Sequence, residues 1–473
     1  MADLVGGGVR FGGANAAGAP IPQIDGGVAG GTLGKVLHEQ WSPEVTSQFN
    51  NESLLMQILD DGATVEDWDG EYVVEPIHTG RNRAGGAGRE TDDYPLNGTQ
   101  GYDQMQIGTA FYRTGGQITS KGIKVAERGS KSAVKALQAD ISGGLRDLVI
   151  ELGIDFYGTS WGLLGYVKDA QADVNLTLET DMGGANPAGA RLAKMNGTRF
   201  LSGGRNQNVQ ICQVGDDNLV DAVRGAKATT VTSVTNRSTC VLAADLGAQA
   251  GDAVMRAPSL AGQNDLAVGE SVRFAVVGLD EIYDDLTTTT TGLYQNYFQI
   301  NRSTTTSMAS HVRNLAGAAL TEEVLQDFLD AIAEKSGEIP DCMITHRSVR
   351  TKLAQEFTGD RRFTPQEFPG GWKGEMLTYN PGDGDIHIYV DRLAPYRTLF
   401  AANKSYLKKF VLTPAHLVEY DGSSLRQQGN SPVWQWNVEL DLNLACTKPN
   451  TGGKLIDIAS DATFGVAGFL PEL

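Results

Sequence analysis

The chain has little cysteine and no long hydrophobic run. Only four of its 473 residues are cysteines, at positions 212, 240, 342 and 446, and none has the spacing of a zinc knuckle or a redox motif. Because so few thiols cannot form a disulfide scaffold, we expect them to be buried and reduced. No apolar run is long enough to span a bilayer, and the first residues lack the basic start and apolar core of a signal peptide. These absences favour a cytoplasmic protein without a membrane partner.

The chain is also poor in positive charge. Its 39 lysines and arginines are outnumbered by 57 acidic residues, which gives a formal net charge of −18. A field of this sign argues against a protein that coats DNA through its overall charge. It is compatible with a container that holds DNA without gripping it, and equally with a charge that serves solubility alone.

Sequence motifs of catalysis are missing or out of context. A G-x-S-x-G match lies at 158–162, but a predicted helix precedes it, whereas a nucleophile elbow needs a strand before the serine. No two of the six histidines have zinc-protease spacing, and His387, with Asp385 two residues before it, fits a structural histidine better than a metal ligand. Trp434 and Trp436 fit core packing better than a sugar platform. We therefore predict no catalytic residue, no cofactor and no metal site.

The rest of the composition is that of a folded protein. Hydrophobic residues make up 41% and charged residues 20% of the chain, which are globular values. A chain of this length should form two or more sub-domains. Residues 1–33 are rich in glycine and alanine and predict an extended arm, and a helical pattern follows over 37–58. Helical and strand patterns then alternate irregularly, which predicts the α+β class.

The strongest local pattern predicts a long helix over about 131–157. Gly143 and Gly144 interrupt it at a cost of roughly 1 kcal/mol each, which suggests the close approach of another backbone. Its apolar stripe consists of Val134, Leu137, Ile141, Leu145, Leu148 and Leu152. A second helix should begin at Thr321 and end at Gly337. Residues 199–274 read as rich in strands, and further strands are predicted at 271–277, 342–345, 386–390 and 434–442.

A long excursion separates two strands near the N-terminal end. The first strand covers 72–77, where Pro76 excludes it from the middle of a sheet, and the return strand covers 105–112. The residues between them are rich in glycine and have few apolar side chains. Because ordering each residue costs roughly 1–2 kcal/mol, such a hairpin needs an external partner, and the simplest one is a neighbouring copy of the chain.

Charged residues of both signs accompany this hairpin. Mixed charge fits pairing with another subunit better than binding of one polyanion, although a solvated surface loop remains the alternative. The predicted intersubunit contacts are Arg81, Arg83, Arg89, Glu90, Asp92, Asp93 and Arg113.

In order and spacing, several segments resemble a major capsid protein of tailed bacteriophages, of the Hong Kong 97 type. The resemblance covers most of the chain after residue 35. It is carried by IHTGRN at 77–82, FYRTGGQIT at 111–119, GLRDL at 144–148, INRST at 300–304, PDCMITHRSVR at 340–350 and LACTKPN at 444–450.

This resemblance implies a domain plan and a function. The plan is an N-terminal arm with a short helix (1–69), an extended loop (70–118), a peripheral domain with a spine helix (119–198), a mainly axial domain with a β-rich insertion near 225–280 (199–432), and a returning C-terminal strand (433–473). Copies would form hexamers and pentamers of an icosahedral virion shell around double-stranded DNA, without sequence-specific contact. Scaffolding, portal and cement proteins are the other implied partners, and the chain would be made in the cytoplasm of the host bacterium. Some relatives cross-link through a lysine of the extended loop, but residues 73–117 contain none.

Other classes remain open at this point. A shell protein of a cytoplasmic nanocompartment could use the same fold around an enzyme cargo. An acidic hydrolase would use Ser160 as its nucleophile. A tail or decoration protein fits the long helix less well.

Overall fold

The structure of the chain is a computed structural model. It describes residues 55, 58–59, 63–65, 70, 72–82, 87, 90, 98–120, 132–178, 208–215, 219–234, 239–257, 266–285, 296–356, 377–379, 386–391, 393–419, 425–427, 429 and 431–459. The predicted N-terminal arm and most of the helix predicted over 37–58 lie outside these residues. Of that helix, Leu55 and Ile58 are helical and buried. The described part mixes helices and strands, as the α+β prediction requires.

A first sheet is built around one long strand near the C-terminal end of the chain. In this sheet β1 pairs with β18, β18 and β19 pair with one edge of β20, and β4 pairs with the opposite edge of β20. The alternation that predicted a strand over 434–442 is confirmed, because Trp436, Val438, Leu440 and Leu442 are all buried. The members of this sheet are β1 (Ala63–Val65), β4 (Ala110–Thr119), β18 (Leu407–Leu417), β19 (Arg426–Gln427) and β20 (Val433–Cys446).

The long helix α1 (Ser132–Asp155) packs against this sheet through β4. The predicted stripe faces inward over the described side chains: Leu148 and Leu152 are buried, and Ile141 and Leu145 pack partly buried against the same core. The helix ends before Gly158, whose amide donates to the carbonyl of Asp155 at 2.9 Å. The prediction of this helix is confirmed to within two residues at its C-terminal end.

The predicted hairpin forms a sheet of its own. Strands β2 (Tyr72–Gly80) and β3 (Gly101–Gly108) pair in antiparallel register, with Pro76 opposite Gln104. The return strand predicted over 105–112 is not continuous, because the chain passes at Thr109 from this sheet into β4 of the first sheet. The side-chain amide of Asn443 donates to the carbonyl of Gly108 at 2.5 Å and fixes the backbone where the chain leaves β3.

A second, six-stranded sheet confirms the strand-rich reading of the middle of the chain. Its order is β5-β10-β7-β8-β9-β6, and two apolar clusters belong to it. Its strands are β5 (Leu163–Tyr166), β6 (Asn175–Thr177), β7 (Asn208–Val214), β8 (Val220–Val234), β9 (Thr239–Leu242) and β10 (Ala253–Arg256).

The strand predicted over 271–277 is wrong. This segment forms a single bridge at Ser271 and then runs irregularly into the short helix α2 (Leu279–Ile282). Its backbone amides are satisfied without a partner strand. Those of Phe274 and Ala275 donate to the carbonyl of Ser160, at 3.0 and 2.8 Å.

A third sheet, also of six strands, carries two helices. Its order is β13-β21-β17-β14-β16-β15. Helix α3 (Glu322–Ser336) begins as predicted, with the Thr321 hydroxyl accepting from the amide of Val324 at 3.3 Å, and ends at Gly337 with a φ of 75°. The strands are β13 (His311–Asn314), β14 (Cys342–Thr345), β15 (Leu377–Tyr379), β16 (Ile386–Val390), β17 (Leu399–Ala402) and β21 (Gly453–Ile456). Helix α4 (Arg347–Glu356), the short hairpin of β11 (Asn296–Tyr297) and β12 (Ile300–Asn301), and 3-10 turns at Thr306–Met308 and Pro449–Thr451 complete the described elements.

Candidate assembly surface

The G-x-S-x-G segment has the wrong surroundings for a nucleophile. Ser160 is only 3% exposed, and its amide donates to the carboxylate of Glu281 at 2.9 Å. Helix α1 precedes the segment and β5 follows it, which is the reverse of the strand-then-helix order of a nucleophile elbow. The serine therefore lies in a structural turn, with no exposed hydroxyl to offer a substrate.

The cysteines, Trp434, Trp436 and His387 also have the surroundings of structural residues. The four cysteines are buried free thiols, and burial raises the pKa of the Cys446 and Cys240 thiols to about 12. Trp436 is buried, and its indole N–H donates to Asp140 at 3.1 Å, whereas Trp434 is half-buried and donates to Ser120 at 3.1 Å. His387 is half-buried beside Tyr389, and Asp385 lies outside the described residues.

Among the described residues, no group of three His, Cys, Asp or Glu side chains could hold a metal ion. No helix in the described part of the chain is long and apolar enough to cross a membrane.

The β2–β3 hairpin is amphipathic, and its outer face is uncovered in the single chain. Met105 and Ile107 are fully buried against the body, and Val73 and Ile77 pack partly buried beside them. The opposite face consists of side chains at alternate positions: Tyr72, Val74 and Tyr102 are 48%, 43% and 67% exposed, respectively, and the ring of His78 lies 5.3 Å from that of Tyr102. Exposed apolar side chains on one face of a sheet are a common feature of interaction sites.

Polar contacts order the described part of the excursion, which the composition did not reveal. The carboxamide oxygen of Gln100 accepts from the amide of Asn82 at 3.0 Å and contacts a ring nitrogen of His78 at 2.8 Å. The Asn82 carboxamide donates to the carbonyl of Gly98 at 2.9 Å. These contacts join the two strands beyond their last backbone pairs.

The predicted charged contact residues are only partly described. Arg81 and Glu90 are exposed near the distal end of the hairpin. Arg113 is exposed as well, but it lies on β4 of the first sheet, where its guanidinium stacks on the Phe111 ring at 3.8 Å. Arg83, Arg89, Asp92 and Asp93 lie outside the described residues.

The surroundings of Arg113 form a second exposed patch. Glu439 lies opposite it on β20, and Asp441 is two residues further along the same strand. Partial burial and the neighbouring Glu439 raise the pKa of Asp441, while Arg113 and His416 act in the opposite direction. Phe111 and Leu412 add exposed apolar area, so this sheet face combines ionic and hydrophobic contact groups.

Two clusters of charged side chains join the elements behind these surfaces, and the first of them is buried. The ammonium of Lys454 is fully buried and contacts Asp280 at 3.1 Å and Asp284 at 3.3 Å. Arg302, also buried, donates to the carbonyls of Glu281 at 2.8 Å and Ile282 at 2.9 Å. This cluster ties α2 to the third sheet and to the segment after β12. Nothing in the local sequence pattern distinguishes these charged residues from exposed ones.

The second cluster joins the second sheet to α1. Arg256, the last residue of β10, contacts the carboxylates of Glu151 and Asp155. Asp155 also accepts from the Tyr112 hydroxyl at 2.9 Å, and that hydroxyl accepts from the amide of Val276 at 3.2 Å. Burial, followed by the charge of Asp155, raises the pKa of Tyr112 well above its usual range.

Comparison with known proteins gives a family match and a fold match. Residues 270–459, less than half of the chain, match the family model of the SU10 major capsid protein. A chain of the cyanophage A-1(L) capsid is 10% identical, with a TM-score of 0.53, over 89% of this chain and 97% of that one. The capsid of a native GTA particle is 7% identical, with a TM-score of 0.46, over 91% and 98%, and the structure from Gordonia phage Cozz is 11% identical, with a TM-score of 0.42, over 94% and 99%. No curated protein sequence matches the chain.

The resemblance predicted from the sequence is therefore confirmed at two levels. The family model matches the part of the chain that contains the third sheet and β18 to β20. The A-1(L) match shows that the fold of nearly the whole chain is that of a phage capsid protein.

Proposed function

We propose that this chain, whose residues 270–459 match the SU10 major capsid protein family, is the major capsid protein of a tailed phage. Its copies form hexamers and pentamers that close into an icosahedral shell around double-stranded DNA. The protein acts structurally, without a catalytic residue. The family match is the observation that carries this proposal, and the fold shared with the A-1(L) capsid chain supports it.

The hairpin supplies the contact between copies. Its outer face exposes Tyr72, Val74 and Tyr102 in the single chain, so covering it with a neighbour removes apolar surface from water. Obligate interfaces commonly bury about 2,000–5,000 Å². Each copy makes one such contact and receives another. Within a partly formed ring, each further contact forms between copies that are already held together, so the high effective concentration stabilises the ring. The charged residues from Arg81 to Asp93, together with Arg113, give the contact its register.

The proposed domain plan keeps the domain order that the resemblance implies, but β21 of the C-terminal segment 433–473 belongs here to the axial sheet. Helix α1 is the spine helix of the peripheral domain, and the third sheet with α3 and α4 forms the axial domain. The β-rich insertion, expected near 225–280, would in this arrangement already begin with β5 at Leu163. Scaffolding, portal and cement proteins are further proposed partners, and the site of action is the virion after synthesis in the host cytoplasm.

Substitutions in the exposed hairpin face test this proposal. We expect Tyr72→Ser combined with Val74→Ser and Tyr102→Ser to leave a folded, soluble subunit that no longer assembles, because the apolar surface that a neighbour covers is lost. Assembly is measured by sedimentation velocity and negative-stain electron microscopy of the full chain, and folding by circular dichroism. Deletion of residues 81–93 should have the same effect.

A matched control uses another exposed apolar side chain. Val268 is 65% exposed in the loop before Ser271, which is not part of the hairpin, and Val268→Ser should assemble as the parent does. Normal shells from the triple variant would contradict the role of the hairpin. A parent chain that stays monomeric at every concentration would contradict the capsid assignment itself. Particles from producing cells should contain nuclease-protected DNA, whereas a protein cargo would indicate a nanocompartment shell.

A further inference from the structure

A strained turn lies against the base of the hairpin. Strands β11 and β12 are joined by the two residues Phe298 and Gln299, whose φ angles are 46° and 74°. Two-residue hairpin turns with positive φ at both central positions strongly prefer asparagine and glycine. Non-glycine residues in this region are strained, and they persist where the surroundings fix them.

The surroundings of this turn fix it from the body side. The Tyr297 hydroxyl donates to the carbonyl of Cys446 at 3.2 Å and accepts from its amide at 2.8 Å. The Arg302 guanidinium lies over the Tyr297 ring at 4.5 Å, and the Phe298 ring meets the same ring edge-on at 4.7 Å. The strain is therefore held by contacts with β20 and with the buried charge cluster.

The turn presents a backbone carbonyl to the hairpin. The carbonyl of Phe298 accepts from the amide of Gln106 on β3 at 3.1 Å. Gln106 lies opposite Val74 of β2, and because its amide bonds to Phe298 it points away from β2 and toward the body. Thr305, just beyond β12, approaches Asp103 of the same strand at 3.5 Å. The segment from β11 to Thr305 thus touches β3 along its outer edge.

We propose that Phe298 and Gln299 are positioning residues that set the direction in which the hairpin leaves the body before copies meet. The inference rests on the proposed function, because it gives that direction a role in assembly. A hairpin held in its bound direction loses less conformational entropy when a neighbour covers it. The positive φ angles of the turn matter on this account, since a turn without them would place the Phe298 carbonyl elsewhere.

Two proline substitutions on β3 separate this contact from general damage to the hairpin. In an antiparallel ladder, hydrogen-bonded and non-hydrogen-bonded pairs alternate, so Gln104 also turns its amide away from β2. It lies opposite Pro76, and among the described residues its amide has no acceptor on the turn. Gln106→Pro removes the amide that bonds to Phe298, and Gln104→Pro makes the same backbone change without that loss.

The hairpin direction is measured in the unassembled subunit by pulsed electron paramagnetic resonance. Spin labels at Thr99→Cys and Glu323→Cys report the distance from the hairpin to α3, and the four native cysteines are buried. We expect a narrow distance distribution in the parent and in Gln104→Pro, and a broad one in Gln106→Pro. Loss of one hydrogen bond should slow assembly at least about fivefold.

A second pair of variants changes the turn itself. Gln299→Gly fits the positive φ and should keep the narrow distribution, whereas Gln299→Pro cannot adopt that φ and should broaden it. A narrow distribution in both Gln106→Pro and Gln299→Pro would overturn the proposal. Because these distances are measured on single subunits, they decide the positioning role even if the parent forms no shell, a result that would instead refute the proposed function.

Discussion

At the scale of single residues, charge inside the protein holds elements that are far apart in sequence. Lys454 on β21 contacts Asp280 and Asp284, which lie in and just after α2. Removing one partner of such a buried pair generally costs about 3–5 kcal/mol, because an uncompensated charge remains in the interior. Arg302 also donates to the last carbonyls of α2, which a helix of one turn leaves without internal partners.

Glu151 predicts how stability depends on pH. Burial raises the pKa of Glu151 above its ordinary value of 4.5, Arg256 opposes this rise, and Asp155 adds to it. A carboxyl whose pKa is higher in the folded state stabilises the fold below its unfolded pKa, and this contribution is lost as pH rises through the folded pKa. Glu151→Gln mimics the protonated form, so its advantage in thermal midpoint over the parent should widen from pH 4.5 toward neutrality.

Calorimetry of both proteins across that range checks this prediction. Glu334→Gln, on the exposed surface of α3, removes the same charge outside the cluster and is the matched control. If Glu151→Gln lost stability relative to the parent as pH rose, the ion pair with Arg256 would outweigh the burial of the carboxyl.

At the scale of elements, local pattern predicted what local contacts determine. The helix at α1 followed from its apolar stripe, and α3 from its Thr321 cap and Gly337. The strand predicted over 271–277 failed because its amides bond to distant groups, among them the Asn443 carboxamide, which accepts from Val277 at 3.0 Å. No local pattern reveals such partners.

The hairpin illustrates the same limit within the candidate assembly surface. Pro76 and the glycine-rich excursion were enough to predict two strands joined by a long excursion, and the pairing of β2 with β3 confirms this strand pair. The contact between the hairpin and the Phe298 turn joins positions almost two hundred residues apart in sequence. The local sequence does not predict this turn, since Phe298 and Gln299 are unlike the residues that such turns prefer.

Two adjacent glycines of α1 predict opposite effects on stability. A Cβ at Gly144 would lie 2.5 Å from the Trp436 ring, whereas a Cβ at Gly143 would meet nothing within 4 Å. The close approach expected from this pair is thus made by an indole ring, and at Gly144 alone. We expect Gly143→Ala to stabilise the chain by up to about 1 kcal/mol through helix propensity. Gly144→Ala should destabilise it, because overpacking costs about 1–3 kcal/mol and exceeds that gain.

Denaturant unfolding of the two variants measures both effects. Each is the matched control of the other, since they make the same chemical change on neighbouring residues of one helix. Equal stabilisation by both would show that Trp436 can move away from α1 at little cost. Its contact with Asp140 makes this unfavourable, because the buried indole N–H would lose its acceptor.

At the scale of the whole molecule, two forces act oppositely on association. The formal charge of −18 makes identical subunits repel one another, while the exposed hairpin face favours contact through apolar burial. The range of the repulsion is set by salt, since the Debye length falls from about 30 Å at 0.01 M to about 8 Å at 0.15 M ionic strength. The apolar contact acts at much shorter range and survives this screening.

Assembly should therefore be faster at moderate than at very low ionic strength. Light scattering of the purified chain at constant concentration measures the rate, and circular dichroism verifies that the subunit stays folded throughout. Chloride and sulfate at equal ionic strength separate the two forces, because both screen charge alike but sulfate also strengthens apolar burial. We expect a rise with ionic strength in both salts and a further rise in sulfate. Fastest assembly at the lowest ionic strength would mean that attraction between opposite charges, such as those from Arg81 to Asp93, governs the encounter despite the net charge.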